Sequence, residues 1–431
     1  MFYIIERKDQ LDQLGPFKDC FVKFIQGNDN YHPKLSPLSL IYVRDTSEHK
    51  GYILCLNHNE SFSLETKDVF DWLLNKTERL FVLNKKEALY SFPHEHKLFD
   101  IEFLKLPDLT ASHRVPAIAY YYQHHTNLPN VNCLIPISKH YEENENVFSV
   151  ILPIIRSYRA NNAVYAFNNG PLTRVFHEIE SQGIQVDKKC FVDCYGEELK
   201  YPQFNLSKSK IYSQYNLQTL TGRPSNTYNS INFAALNKTS GERLCYKPAN
   251  DTFIEFDMQG YHPRLIAELI GFEFNDKNTY ETLGELLGVS TQEAKELTFK
   301  QLYGGVWDEY RNKPFFKDIV ALTDGIWEEY QYGGRYSTEN RIFISDREMT
   351  QSKLLNYIVQ SMETSTNVKM LIDILDYLKD KQTKIVLYTY DAFLFDYAES
   401  DGKQTLIDIK QLIKYPVNIK MGKSYHELNK I

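Results

Sequence analysis

The chain has 431 residues, 42% hydrophobic and 24% charged, with a net charge of −7. That length exceeds one ordinary hydrophobic core, so two or three domains of a globular protein are expected, and a chain coated in positive charge is excluded. No apolar run is long enough to cross a bilayer, and the opening Met1-Phe-Tyr-Ile-Ile meets charge at Glu6, which argues against a membrane protein and a secretory leader and for a cytoplasmic one.

Short strand-like runs come first: Phe2-Tyr-Ile-Ile, Cys20-Phe-Val-Lys-Phe-Ile, Leu38-Ser-Leu-Ile-Tyr-Val and Gly51-Tyr-Ile-Leu-Cys-Leu. A helix is expected over Asp68-Val-Phe-Asp-Trp-Leu-Leu and another strand over Arg79-Leu-Phe-Val-Leu. This α/β layout, assigned to residues 1–150, loosely resembles the RNase H-like 3′–5′ exonuclease domain that precedes many family A DNA polymerases. Such nucleases hold two metal ions with carboxylates, beginning with Asp-x-Glu on the first long strand. Here that strand carries Lys23 and Ile25, and the next expected acid falls at Ala88. Asp100 and Asp108 remain as isolated acids. A degenerate domain without nuclease activity is therefore expected.

A junction is placed near 138–165, with 151–170 as the linker. Pro171-Leu-Thr-Arg-Val-Phe-His-Glu-Ile-Glu-Ser-Gln reads as an amphipathic helix stopped by Gly183. Among the six cysteines, Cys190 and Cys194 are the closest pair, and no second pair or histidine cluster completes a zinc site. They are read as reduced and structural. Only a few tens of residues separate Asp187 from Tyr215. Thr219-Leu-Thr-Gly-Arg223-Pro-Ser-Asn226, followed by Asn229 and Asn232, offers a guanidinium fork and amides suited to minor-groove acceptors and phosphate. Lys208, Lys210, Arg223, Lys238, Arg243 and Lys247 make one candidate basic groove, with Glu242 among them.

Phe253-Ile-Glu-Phe-Asp257-Met-Gln-Gly-Tyr-His262-Pro-Arg264 reads as a buried strand ending on an acid and turning into a helix. Pro263 sits in its first turn, and Leu265, Ile266, Leu269 and Ile270 recur at helical spacing. Downstream, Lys295, Phe299 and Tyr303 share one helix face at i, i+4, i+8. They offer a cation, a ring and a hydroxyl to a nucleotide. Lys384-Ile-Val-Leu-Tyr-Thr-Tyr390-Asp391-Ala392-Phe-Leu-Phe-Asp396 reads as a hairpin with Asp391 at its tip, Asp396 being the weaker candidate.

These segments, in this order, resemble motifs A, B and C of family A (DNA polymerase I-like) DNA polymerases, bacteriophage type. Supporting segments are Pro171–Asp187, the Thr-Gly-Arg run at 221–223, Thr279–Gly288 and Asn356-Tyr-Ile-Val-Gln360. The resemblance covers about 171–431. It implies an α/β and α+β multidomain protein whose second part is a right-hand polymerase domain, with fingers inserted at about 272–350 and the thumb much reduced. It further implies DNA-directed synthesis by two Mg²⁺ ions held by Asp257, Asp391 and the Met258 carbonyl. Lys295, Phe299, Tyr303, His262 and Arg264 would bind the deoxynucleoside triphosphate. Arg223, Asn229, Asn232, Asn356 and Gln360 would bind primer-template DNA. A replisome or processivity protein would compensate for the thumb, in host cytoplasm for a phage enzyme.

Four positions depart from the family pattern. His262 stands where a sugar-excluding Glu is usual, and Ala392 replaces a second acid. Thr291 and Thr279 replace an Arg and a His on the triphosphate, so weaker nucleotide binding is expected, with Lys300 and Arg311 as substitutes. The other readings are a catalytically weak DNA-binding replisome scaffold and, from His262 alone, a primase-like RNA-synthesising enzyme.

Overall fold

The computed structural model describes residues 2–26, 38–47, 50–56, 64–104, 137–196, 209–226, 231–237, 241–274, 278–344 and 348–431. Asp108, Lys208, Asn229 and Lys238 lie outside the described residues. The chain divides into two compact units, the first ending at His177 and the second running from Glu178 onward.

The first unit is built on a six-stranded sheet of β1 (Phe2–Ile5), β2 (Phe17–Gln26), β3 (Leu38–Asp45), β4 (Gly51–Cys55), β5 (Thr77–Val82) and β6 (Leu98–Asp100), in the order β1-β4-β3-β2-β5-β6. Strands β2, β3 and β4 form an antiparallel meander. β1 joins β4 in parallel, and β5 and β6 extend the other side in parallel. Alternation along β2 supplies two cores, because successive side chains point to opposite faces. Cys20 and Val22 meet Trp72 and Leu73 of helix α1 (Thr66–Lys76). Phe21 and Ile25 meet Val147, Phe148 and Ile151 of helix α2 (Ile137–Arg156).

The stretch 151–170 holds the end of α2, a helix at Ala163–Phe167 and the start of a π-helical turn at Asn168–Leu172. Asp100 is spent on the fold. Its carboxylate accepts from the backbone amides of Lys85 (2.8 Å), Glu102 (2.9 Å) and Phe103 (3.3 Å). Burial pushes its pKa up to about 7.

The second unit centres on an antiparallel sheet of β7 (Thr252–Met258), β8 (Lys384–Tyr388), β9 (Ala392–Tyr397), β10 (Val417–Gly422) and β11 (Asn429–Lys430), in the order β8-β9-β7-β10-β11. β7 is central and paired along its length on both sides, which suits its run of buried aromatic and β-branched residues.

Helix α3 (Tyr261–Ile270) follows at once. Gly260 starts it with φ 57°, Pro263 fits its first turn, and Gly271 stops it in the left-handed region. Leu265 and Ile266 are buried as expected, whereas Leu269 is exposed. Helices α4 (Thr279–Leu287), α5 (Thr291–Gly304), α6 (Pro314–Gly333) and α7 (Gln351–Tyr377) pack with α3 around one apolar core. A Ser290–Glu293 capping box starts α5.

Between Asp187 and Tyr215 the described residues form a helix, Lys188–Tyr195, and a two-residue strand, Lys210–Ile211. That strand and Tyr246–Lys247 flank Ile184–Val186 in a small antiparallel sheet. Among the described residues no helix is long and apolar enough to cross a membrane.

Candidate active site

Two acids meet because three strands hold their ends in register. Asp257, one residue from the end of β7, pairs across to Ala392, the residue after Asp391. The Met258 amide donates to the Asp391 carbonyl at 2.8 Å, so backbone fixes the two acid-bearing positions together. Both line a cavity of about 580 Å³, which Met258, Lys295, Phe299, Tyr303, His262, Glu363, Arg223 and Lys430 also line. Tyr390 reaches the turn with φ 69°, a left-handed geometry that β-carbon sterics disfavour. Asn367 secures it by donating to the Tyr390 carbonyl at 2.9 Å.

The electrostatics of the acids differ. Asp257 receives the Lys420 ammonium at 2.7 Å, and the same ammonium contacts Glu255 at 2.6 Å. Asp391 has no ion-pair partner among the described residues. Its pKa is pushed up to about 6, first by lost hydration and then by the charges of Asp257 and Glu363. Two hard carboxylates that repel each other across a cleft are the donor set that Mg²⁺ takes, since it prefers oxygen ligands and keeps water on its remaining positions.

Above the acids lies a network centred on Glu363, which α7 buries completely. Its carboxylate pairs with Arg223 at 2.8 Å and lies 3.2 Å from His262 Nε2. The other imidazole nitrogen, Nδ1, contacts the Tyr303 hydroxyl. Arg223 also stacks on the Tyr390 ring at 3.7 Å, so one carboxylate joins α3, α5, α7 and the acid-bearing turn. Arg223 is delivered by a turn in which Gly222 has φ 80° and Thr219 donates to the Arg223 carbonyl at 2.8 Å. A β-carbon on Gly222 would lie 2.9 Å from the Asn340 side chain. The buried Arg341 anchors this turn by donating to the carbonyls of Leu217 (2.5 Å), Thr219 (3.0 Å) and Asn340 (2.6 Å).

The α5 face expected from its spacing is present. Phe299 and Tyr303 stack at 5.8 Å, and Lys295 Nζ lies 5.9 Å from the Tyr280 ring. Thr279, where a histidine is usual in the resembled family, is fully buried against Gly260, on which a β-carbon would lie 2.8 Å from it. A larger side chain has no room there. Thr291 lines the cavity; Lys300 and Arg311 are not among its lining residues.

The remaining expected positions fall outside this cavity. Arg264 donates to the Gln259 carbonyl at 3.1 Å and lies over Phe274. Asn232 caps a 3₁₀ turn by accepting from the Ala235 amide, and Gln360 donates to Asn356 at 2.9 Å. Asp396 accepts from the amides of Ala249 (2.8 Å) and Asn250 (2.9 Å), which gives it a turn-forming task. Sequence reasoning missed Glu363, Lys420 and Lys430. Glu363 had a signal: Asn356, Gln360, Glu363 and Asn367 fall at i, i+4, i+7, i+11, one helix face. Lys420 had none, since only strand pairing places it opposite Glu255.

Comparison with solved structures finds the fold of the POL domain of Pol1 from M. smegmatis, determined in complex with DNA primer-template and dNTP. The TM-score is 0.72 over 99% of this chain and 100% of that one, at 13% sequence identity, so the likeness is one of fold. No protein-family model matches the chain, and no curated protein matches it by sequence.

Proposed function

We propose that the chain is a template-directed DNA polymerase of the family A kind, adding deoxynucleotides to a primer 3′ end. The observation that carries this reading is the pairing of Asp257 and Asp391 on adjacent strand ends, facing a cavity that also presents Lys295, Phe299 and Tyr303. The fold likeness to a domain solved with primer-template and dNTP supports it. Asp257, Asp391 and the Met258 carbonyl would hold two Mg²⁺ ions. When bound, these ions would activate the primer 3′ oxygen and neutralise the leaving pyrophosphate.

The chain's own residues do the positioning. Lys295 offers a point charge to phosphate. Phe299 presents a ring to base and sugar, and Tyr303 is fixed beside it through His262 and Glu363. Arg264, Arg223, Asn229, Asn232, Asn356 and Gln360 are assigned to nucleotide and DNA as the family resemblance implies. Arg223 must then exchange part of its contact with Glu363 for DNA.

Residues 171–431 form the polymerase domain in this reading. The first 150 form a degenerate exonuclease-like domain without proofreading, and a phage replisome is the setting, with a partner protein supplementing a reduced thumb. Support for the degenerate domain comes from the antiparallel meander flanked by parallel strands, from Lys23 and Ile25 in place of the expected acids, and from Asp100 being bound to backbone amides.

Extension of a labelled primer on a template tests the assignment. Incorporation of dNTPs is expected, with Asp257→Asn and Asp391→Asn each abolishing it; substantial synthesis by either variant would remove the site. An NTP arm addresses His262, since an imidazole in the place of a carboxylate alters how a 2′ hydroxyl is excluded. Equal use of NTPs would favour the RNA-synthesising reading.

A further inference from the structure

The most specific cluster outside the cleft is made of cysteines. Cys190 and Cys194 sit one turn apart on the helix Lys188–Tyr195, whose first turn is capped by Asp187. Cys245 comes from a 3₁₀ turn at Gly241–Cys245 that leads into Tyr246–Lys247, the strand paired with Ile184–Val186. The Asp187 amide donates to the Cys245 carbonyl at 2.8 Å, which locks helix start and turn together. As a result the three sulfur atoms lie within 4.8 Å of one another, and Cys190 and Cys245 are 2.8 Å apart.

Burial is graded. Cys245 is enclosed, Cys190 half-buried and Cys194 exposed, which leaves a path from solvent. Packing as small hydrophobes does not account for this convergence, since only Cys245 of the three is buried. A disulfide would use two and strand the third. A tetrahedral ion with Zn–S bonds of about 2.3 Å sets sulfurs roughly 3.8 Å apart, within the spread the cluster already has.

We propose that Cys190, Cys194 and Cys245 form a structural Zn²⁺ site of three thiolates, completed by water on the exposed side of Cys194. The ion would clamp the helix after Ile184–Val186 to the strand that feeds β7, and so brace the approach to Asp257. This site stands apart from the proposed polymerase chemistry.

Cobalt addition to the metal-free full chain is the test. One equivalent of Co²⁺ is expected to produce a thiolate-to-cobalt charge-transfer band that Zn²⁺ displaces. Cys194→Ser, at an exposed position that folding tolerates, is expected to weaken Co²⁺ binding at least about tenfold and to abolish the rise in Tm that Zn²⁺ gives the unaltered chain. Absence of the band overturns the proposal, as does an unchanged band in Cys194→Ser. A Cys190–Cys245 disulfide that persists in reductant overturns it too.

Discussion

Glu363 is the residue on which the cleft's polar contacts converge. Replacing it by Gln keeps its shape but removes the charge that pairs with Arg223, whose side chain is only 26% exposed. Breaking one partner of such a pair costs about 3 kcal/mol, because the other charge is left poorly solvated. Glu363→Gln is therefore expected to lower Tm by several degrees and to loosen Tyr303, seen as a higher KM for nucleotide. Asp391 governs the pH response. Its pKa is raised from 3.8 to about 6, so protonation is favoured in the folded chain. Its stability contribution is then full below 3.8 and is lost as pH rises through about 6. Metal-free Asp391→Asn is expected to melt above the unaltered chain at pH 7, with the gap closing towards pH 4; the cleft walls remove part of the hydration of Asp391, but its side chain still meets solvent, and screening keeps that gap small. Affinity for Mg²⁺, which needs the ionised form, is expected to weaken as pH drops through about 6, read as a rising Mg²⁺ requirement.

At the scale of elements, strand pairing decides what the acids feel. β10 sets Lys420 against both Glu255 and Asp257, where its ammonium stands in the place a cation would take. Lys420→Met is expected to lower the stability of the metal-free chain and to lower the Mg²⁺ concentration for half-maximal effect, measured by thermal shift against metal. The Arg341 anchor belongs to this scale as well. Arg341→Leu would strand three carbonyls, two of them buried, and is expected to cost about 3 kcal/mol, read by chemical denaturation. These contacts explain what was legible in the chain. Asp257, the α5 face and the Asp391 hairpin could be read because strand ends, helix faces and tight turns are local patterns. Arg223 meets Glu363 across 140 residues and Lys420 meets Asp257 across 163, and no local periodicity encodes either pairing. Cys245 likewise joins Cys190 only through a sheet.

Taken whole, the molecule is acidic, so any hold on a nucleic acid must come from local cations. Affinity for primer-template is expected to fall with salt, with a log–log slope of about 0.9 per phosphate neutralised. An affinity that does not change with salt would contradict this reliance on local cations. The α/β pattern of the first unit and the order of elements in the second were legible because each strand and helix carries its own periodicity. The division after His177 was not, since no compositional break marks it. The cavity that holds the two acids is lined by charges of both signs. Asp257, Asp391 and Glu363 face it with Arg223, Lys295 and Lys430, three acids against three bases. Such a chamber is formally electroneutral, with Arg223 already matched by Glu363, so what it presents to a guest is charges of both signs held apart and not a net field. An anion that arrives with its metal cation attached meets the acids and the bases at once, and its entry is therefore expected to depend less on salt than the binding of a long polyanion does.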